Sequence, residues 1–128
     1  GQLENDVIKQ PYYSNSYLLI SRMLNLRLLS EMKNGSYVTF NGQNYNREIW
    51  DKSFFSINKA IELNSNNPQI YQALSQLYMI KGDFDNARFY AKKSIDIAPE
   101  SEEIYEFARG LIKISPNKDF ETYLNSLR

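Results

Sequence analysis

The 128-residue sequence contains neither histidine nor cysteine. Without histidine it lacks the most common general base and the most common nitrogen ligand for metals. Without cysteine it can form no disulfide framework, thiol nucleophile or thiolate metal site. These absences favour a protein with no enzyme activity, no metal site and no cofactor.

Glycine and an excess charge of either sign are also scarce. The five glycines are scattered, so no glycine-rich phosphate loop is present. Fifteen basic and fifteen acidic residues balance to a net charge of zero, which argues against nucleic acid or anionic lipid as partners. The most apolar stretch, residues 17–29, contains Arg22, Asn25 and Arg27 and is too short and too polar to insert into a membrane. We expect a soluble domain, either cytoplasmic or periplasmic.

The most regular stretch of the sequence runs from Pro68 to Pro99. Apolar residues recur at helical spacing on both sides of a central turn at residues 81–83, which predicts two amphipathic helices. Pro68 suits the first turn of a helix because its missing N–H would be unpaired there, and Pro99 cannot continue the second helix. The stretch therefore predicts a helix–turn–helix hairpin.

The hairpin is repeated along the chain with a period of 34 residues. One period onward, Ile70-Tyr71 falls on Ile104-Tyr105, and one period back, Phe84-Asp85 falls on Trp50-Asp51. A fixed period of this length is typical of stacked helical hairpins. Trp50 then begins the second helix of the preceding hairpin, where we expect it to be a packing residue.

These residues resemble the tetratricopeptide repeat (TPR). The pattern of that family has an aromatic residue, a Leu-Gly pair, a tyrosine, a Gly-Asp-Tyr turn, an alanine and a terminal proline. The matching positions here are Tyr71, Leu74-Ser75, Tyr78, Gly82-Asp83-Phe84, Ala87 and Pro99. The resemblance covers one full repeat, with degenerate repeats on either side. It implies an all-α fold, a short right-handed α-solenoid of about three antiparallel hairpins at about 13–64, 68–98 and 102–127.

The flanks of this repeat give further expectations. Residues 1–11 are predicted to be a flexible lead-in, either a frayed turn of helix or a disordered segment, that ends at Pro11, so that the helical domain spans residues 12–128. The following helix, about 13–33, is apolar on more than one face and is therefore expected to pack on two sides. Residues 36–45 replace the short turn of the family with either a small β-hairpin around Asn41-Gly42 or an irregular loop that packs its aromatics.

The resemblance also implies a binding surface, because the first helices of such hairpins line a concave groove that holds a peptide or helix of a partner. Transferred position by position, the expected partner-binding residues are Arg22, Asn25, Gln69, Gln72, Gln76, Met79, Glu103 and Glu106. Tyr37 and Phe40 join them, since an extended loop within a repeat array is often functional. The clamp that some members use for a terminal carboxylate is absent, because its places hold Ala73, Glu103 and Phe107.

Three functions remain open at this point. The first is a non-enzymatic protein–protein interaction module that binds a partner peptide or helix in its groove. The second is a soluble regulatory or accessory domain of a larger protein, for instance a membrane or envelope protein. The third is self-association into a homo-oligomer through the aromatic loop or an uncovered end of the stack.

Overall fold

The computed structural model describes residues 2–32, 40–42 and 44–128. Within these ranges the chain forms six helices and no strand. The helices are α1 (Gln2–Met32), α2 (Arg47–Leu63), α3 (Pro68–Lys81), α4 (Phe84–Ile97), α5 (Glu102–Ile114) and α6 (Lys118–Ser126). Successive helices pair into three hairpins that pack in chain order, with α3 against both α1 and α2, and α5 against both α3 and α4. The predicted all-α solenoid of about three hairpins is confirmed.

Polar side chains and one glycine set the helix boundaries. The Oδ1 atom of Asn67 accepts the backbone N–H of Gln69 at 3.0 Å at the start of α3, and Ser101 caps α5 in the same way. Gly82 ends α3 with a left-handed φ of 84°. These local signals are why the predicted bounds of the central hairpin agree with the structure. The last helix begins at Lys118, where the Oδ1 atom of Asn117 accepts the backbone N–H of Phe120 at 2.9 Å.

The first helix differs from its prediction at its beginning. It starts at Gln2, and Pro11 lies inside it, so the boundary predicted at Pro11 is not a helix end. A proline removes one hydrogen bond to the residue four positions earlier, and the turns on either side of it keep theirs. A helix of 31 residues can therefore continue through it. The start of the domain at residue 12 stays a prediction.

The first helix also packs on one side only. Leu18 and Leu28 are buried against the next two helices, whereas Leu19, Met23 and Leu26 are each about three-fifths exposed. The expectation that α1 packs on two sides is therefore wrong for this part of the helix. The reason is that, among the described elements, α1 packs mainly against α2 and α3, which lie on one side of it.

The core consists of two apolar clusters. The first joins α1, α2 and α3 through fully buried side chains such as Leu28, Ile57 and Leu77. The second joins the end of α3 to α4, α5 and α6 through Ile95, Leu111 and other buried residues. The predicted packing role of Trp50 is confirmed, because its ring is 6% exposed and lies within the first cluster.

Tyrosines line the interface between α3 and α4. The ring of Tyr90 stacks on Tyr71 at 6.4 Å and on Tyr78 at 5.6 Å between ring centroids. Burial raises the pKa of the Tyr78 hydroxyl, and the nearby Tyr90 and Asp83 raise it further. Burial and a hydrogen bond to Asp96 likewise raise the pKa of Tyr123 on α6. These rings therefore stay neutral and act as packing groups between helices.

The described part of the loop after α1 lies against the turn between α3 and α4. A Cβ atom added to Gly82 would lie 2.9 Å from the backbone N of Gly42 and 3.1 Å from the backbone O of Phe40. Phe40 is partly buried and contacts both core clusters. This agrees with a loop that packs its aromatics, although Tyr37 lies outside the described residues.

This close backbone contact makes Gly82 sensitive to substitution. Gly82→Ala is expected to lower the free energy of unfolding by about 2 kcal/mol or more, since the left-handed backbone alone costs a residue with a side chain about 1–2 kcal/mol. Gly110 is the matched control, because a Cβ atom there meets nothing within 4 Å and the residue lies inside α5. Gly110→Ala is expected to raise stability by about 0.5–1 kcal/mol. Urea denaturation of both variants checks this, and effects of the same sign would contradict it.

Candidate functional site

A cleft with a volume of about 300 Å³ opens where the first helices of the three hairpins meet. Helix α3 forms its floor, and α1 and α5 form its two walls. The lining residues are Arg22 and Leu26 from α1, Gln72, Ala73 and Gln76 from α3, and Glu103 and Phe107 from α5. Four of the predicted groove residues, Arg22, Gln72, Gln76 and Glu103, therefore come together in one cleft.

An ion pair connects the two walls of the cleft. The Nη2 atom of Arg22 lies 3.5 Å from the Oε1 atom of Glu103, and the two side chains are 40% and 61% exposed. Exposed pairs of this kind contribute little free energy and exchange partners readily. The cleft therefore offers one cation and one anion at its mouth, and neither sign dominates.

Beneath the cleft, Asn25 connects the first three helices. Its Nδ2 atom donates to the backbone O of Ala73 at 3.2 Å and to the Oε1 atom of Gln76 at 3.1 Å. Its Oδ1 atom accepts the hydroxyl of Ser53 at 2.6 Å. Asn25 is completely buried, so its predicted role as a direct partner contact is wrong. Its amide instead fixes the orientation of the Gln76 side chain.

Gln72 provides an unused acceptor in the cleft. Its Oε1 atom is buried and accepts no hydrogen bond from the described residues. Gln76, one turn further along α3, uses its own Oε1 atom to accept from Asn25, which leaves its Nε2 atom as the donor that faces away from Asn25. Two neighbouring amides thus offer one acceptor and one donor.

The remaining predicted residues lie outside the cleft. Met79 is 7% exposed and belongs to the second core cluster, because α4 and α5 cover this end of α3; its predicted contact with a partner is contradicted. Gln69 is half-buried at the start of α3, and Glu106 is exposed one turn after Glu103. Phe40 packs between the core clusters, and Tyr37 falls on residues that the structure does not describe.

Three of the lining residues are not among the predicted partner contacts. Leu26 and Phe107 each follow a predicted residue by four positions, which places them on the same helix face as Arg22 and Glu103 respectively. Ala73 is the neighbour of Gln72 and lies in the cleft floor. The spacing rule for helices could have found the first two.

The cleft combines amide groups, a pair of opposite charges and a small apolar floor. It contains no nucleophile with an adjacent base, and in the part of the chain that the structure describes no three acidic side chains converge as metal ligands would. None of the described helices is both long and apolar enough to cross a lipid bilayer. The chemistry available at this site is hydrogen bonding and apolar contact.

Comparison with known proteins identifies the central hairpin. Residues 68–101 match the family model of the tetratricopeptide repeat, a range that covers α3, α4 and the cap of α5. No curated protein and no solved structure shows a significant match to the chain. The chain therefore contains a tetratricopeptide repeat at residues 68–101, and the resemblance carried by Tyr71, Tyr78 and Gly82 is confirmed.

Proposed function

We propose that this chain is a non-enzymatic protein–protein interaction module that binds an extended segment of a partner protein in the cleft between α1, α3 and α5. The presence of a tetratricopeptide repeat indicates an interaction module in general terms. The identity of the bound segment as an extended peptide is inferred from the groups that line the cleft.

The observation that carries this proposal is the buried Oε1 atom of Gln72, to which no group of the described ranges donates a hydrogen bond. An unpaired buried acceptor costs about 1–3 kcal/mol, which a donor supplied by a ligand would recover. Together with the donor on Gln76, it matches the N–H and C=O groups that an extended peptide presents along its backbone. Asn25 holds Gln76 in place, so this side chain is already oriented before binding.

The other lining residues favour a peptide of mixed polarity. Phe107 and Leu26 offer apolar surface to one side chain of the peptide, next to the small Ala73. The Arg22–Glu103 pair can open to meet a charge of either sign. Because the cleft holds one cation and one anion, it has no net positive charge to attract a terminal carboxylate, and an internal segment fits better.

The test begins with linear peptides selected from a displayed random library on the immobilised chain, and titration calorimetry then measures the affinity of a selected peptide. Gln72→Ala is expected to weaken binding about tenfold, the equivalent of one hydrogen bond of about 1.4 kcal/mol. Glu103→Ala and Glu106→Ala form a matched pair, since both are exposed glutamates one turn apart on α5 and only Glu103 lines the cleft.

The pair decides whether the cleft is the binding site. We expect a weaker affinity for Glu103→Ala and an unchanged affinity for Glu106→Ala. Equal effects of the two variants would contradict the proposal. The proposal would also be contradicted if the peptide still bound after Gln72 and Gln76 were both replaced by alanine, but no longer bound after Tyr37→Ala. The loop would then be the binding surface.

A further inference from the structure

A strip of exposed apolar side chains runs along the outer side of α1. It consists of Leu19, Ile20, Met23 and Leu26, which are 59%, 45%, 61% and 66% exposed. Four large apolar residues uncovered on adjacent turns of one helix form a continuous patch, which on a soluble protein marks an interaction surface. We call this patch the α1 strip.

The next hairpin shows what such a strip does. Tyr17, Ile20 and Ser21 correspond in the repeat to Tyr71, Leu74 and Ser75, and both serines are fully buried with their hydroxyls bonded to the second helix of their hairpin. In this alignment the positions of the strip correspond to Ala73, Leu74, Leu77 and Ile80. All four are at most 4% exposed and belong to the cluster in which α3 packs on α1 and α2. The strip is therefore the surface by which a hairpin packs on a neighbour, here without its neighbour.

The opposite end of the stack is covered by polar groups. The guanidinium group of Arg109 donates to the hydroxyl of Tyr105 at 2.7 Å and to Asn125. Arg128 pairs with Glu102 and lies 4.1 Å from the centre of the Tyr105 ring. A polar outer face of this kind ends a repeat array. Among the described residues, the large apolar side chains exposed on α5 and at the end of α6 are Ile114 and Leu127, at 46% and 37%, and they form no strip comparable to the one on α1.

We propose that the α1 strip binds the α1 strip of a second copy of this chain, in a two-fold dimer whose α1 helices are antiparallel. When the two strips pack on each other, both are buried and no strip stays exposed, so the assembly closes at two copies. The interface extends the packing that the chain already uses between its hairpins, and the peptide cleft is a separate surface that meets the strip only at Leu26.

Charges beside the strip support this arrangement. The contacts Ser14–Ala60 and Ser21–Ser53 show that α2 runs antiparallel to α1. In this register Asp51 lies beside Met23, and Lys52 lies beside the preceding residue of α1. Asp51, Lys52 and Ile20 line a common depression of about 470 Å³ at the edge of the strip. A two-fold axis through the middle of the strip therefore brings Lys52 of one copy opposite Asp51 of the other. The symmetry generates two such contacts.

The cations near the strip have acidic neighbours within each copy. The Nζ atom of Lys52 lies 3.4 Å from the Oε1 atom of Glu48 on α2, an exposed pair that can exchange partners when Asp51 of the other copy approaches. Arg22 lies 3.5 Å from Glu103, and Arg27 lies 3.3 Å from Glu31. Their charges therefore add little repulsion when two strips meet.

Sedimentation equilibrium of the whole chain, at concentrations up to about 1 mM, tests the proposal. We expect a monomer–dimer equilibrium that stops at the dimer, and a monomer for Met23→Glu, because two carboxylates would meet at the axis. Phe89→Glu is the matched control, since Phe89 is 62% exposed on α4 outside the strip, and this variant is expected to dimerise like the parent. Circular dichroism melting confirms that each variant is folded.

A charge exchange tests the arrangement itself. Lys52→Asp is expected to weaken the dimer about tenfold or more, and the double variant Asp51→Lys with Lys52→Asp is expected to restore it. A monomer at every concentration would overturn the proposal, as would growth beyond the dimer or a dimer that survives Met23→Glu. Failure of the double variant to restore dimerisation would overturn the antiparallel two-fold arrangement.

Discussion

Asn25→Asp is expected to lower the free energy of unfolding by about 3–5 kcal/mol, the cost of an uncompensated buried charge. The Nδ2 atom of Asn25 donates to two oxygens, the backbone O of Ala73 and the Oε1 atom of Gln76. A carboxylate oxygen at that position would repel both and would remove the hydrogen bonds that the Nδ2 atom donates to them. Because the residue is completely buried, water cannot replace the lost bonds.

Asn15→Asp is the matched control for this prediction. Asn15 lies on the same helix and is exposed, so its replacement is expected to change stability by less than about 0.5 kcal/mol. Chemical denaturation of both variants measures the difference. Equal stability of the two would mean that the hydrogen bonds of Asn25 do not hold α1, α2 and α3 together.

Trp50→Ala is expected to lower the free energy of unfolding by about 3–5 kcal/mol, the range for removing a large aromatic side chain from a core. The indole Nε1–H donates to the backbone O of Leu77 at 2.7 Å. The ring stacks on Phe54 at 5.0 Å and meets Tyr78 edge-on at 6.0 Å. The Nζ atom of Lys81 lies 4.9 Å above it. Trp50 thus packs the first hairpin against the second.

Phe55→Ala is the control for Trp50, because Phe55 is an aromatic residue on the same helix that is 60% exposed. Its loss is expected to cost less than about 1 kcal/mol. Trp50→Phe separates packing from hydrogen bonding, since it keeps a ring and removes the bond from the indole N–H to the Leu77 oxygen, at a cost of about 0.5–1.5 kcal/mol. Thermal unfolding followed by circular dichroism measures all three variants. A loss for Trp50→Ala no larger than that for Phe55→Ala would contradict the prediction.

The central hairpin shows how far local sequence signals reach. Pro68 begins α3, Gly82 ends it, and Asp83 caps α4, each through the conformation or hydrogen bond that its residue type favours. Such signals act between neighbours in the chain, so they can be seen without tertiary structure. The early start of α1 was missed because the same rules treat Pro11 as a boundary, and a long helix can continue through a single missing bond.

The position of a residue along a helix does not determine whether it lines the cleft or is buried beneath it. Arg22, Asn25, Gln76 and Met79 were all predicted as groove contacts from the repeat register, yet only Arg22 and Gln76 line the cleft. Helical register fixes the face on which a residue lies. How deeply that face is covered depends on neighbouring helices, which bury Asn25 under Gln76 and Met79 beneath α4 and α5.

The sequence by itself determined the helical hairpins, their period and the tetratricopeptide repeat at residues 68–101, because caps, turns and apolar spacing are local properties. Only the tertiary structure decided which residues meet in the cleft and which apolar faces stay uncovered. The strip on α1 has the apolar pattern of a buried face, like the one on α3, but in the part of the chain that the structure describes no hairpin packs against it. Burial is a property of the neighbours that pack on a residue, and the residue's own sequence does not contain it.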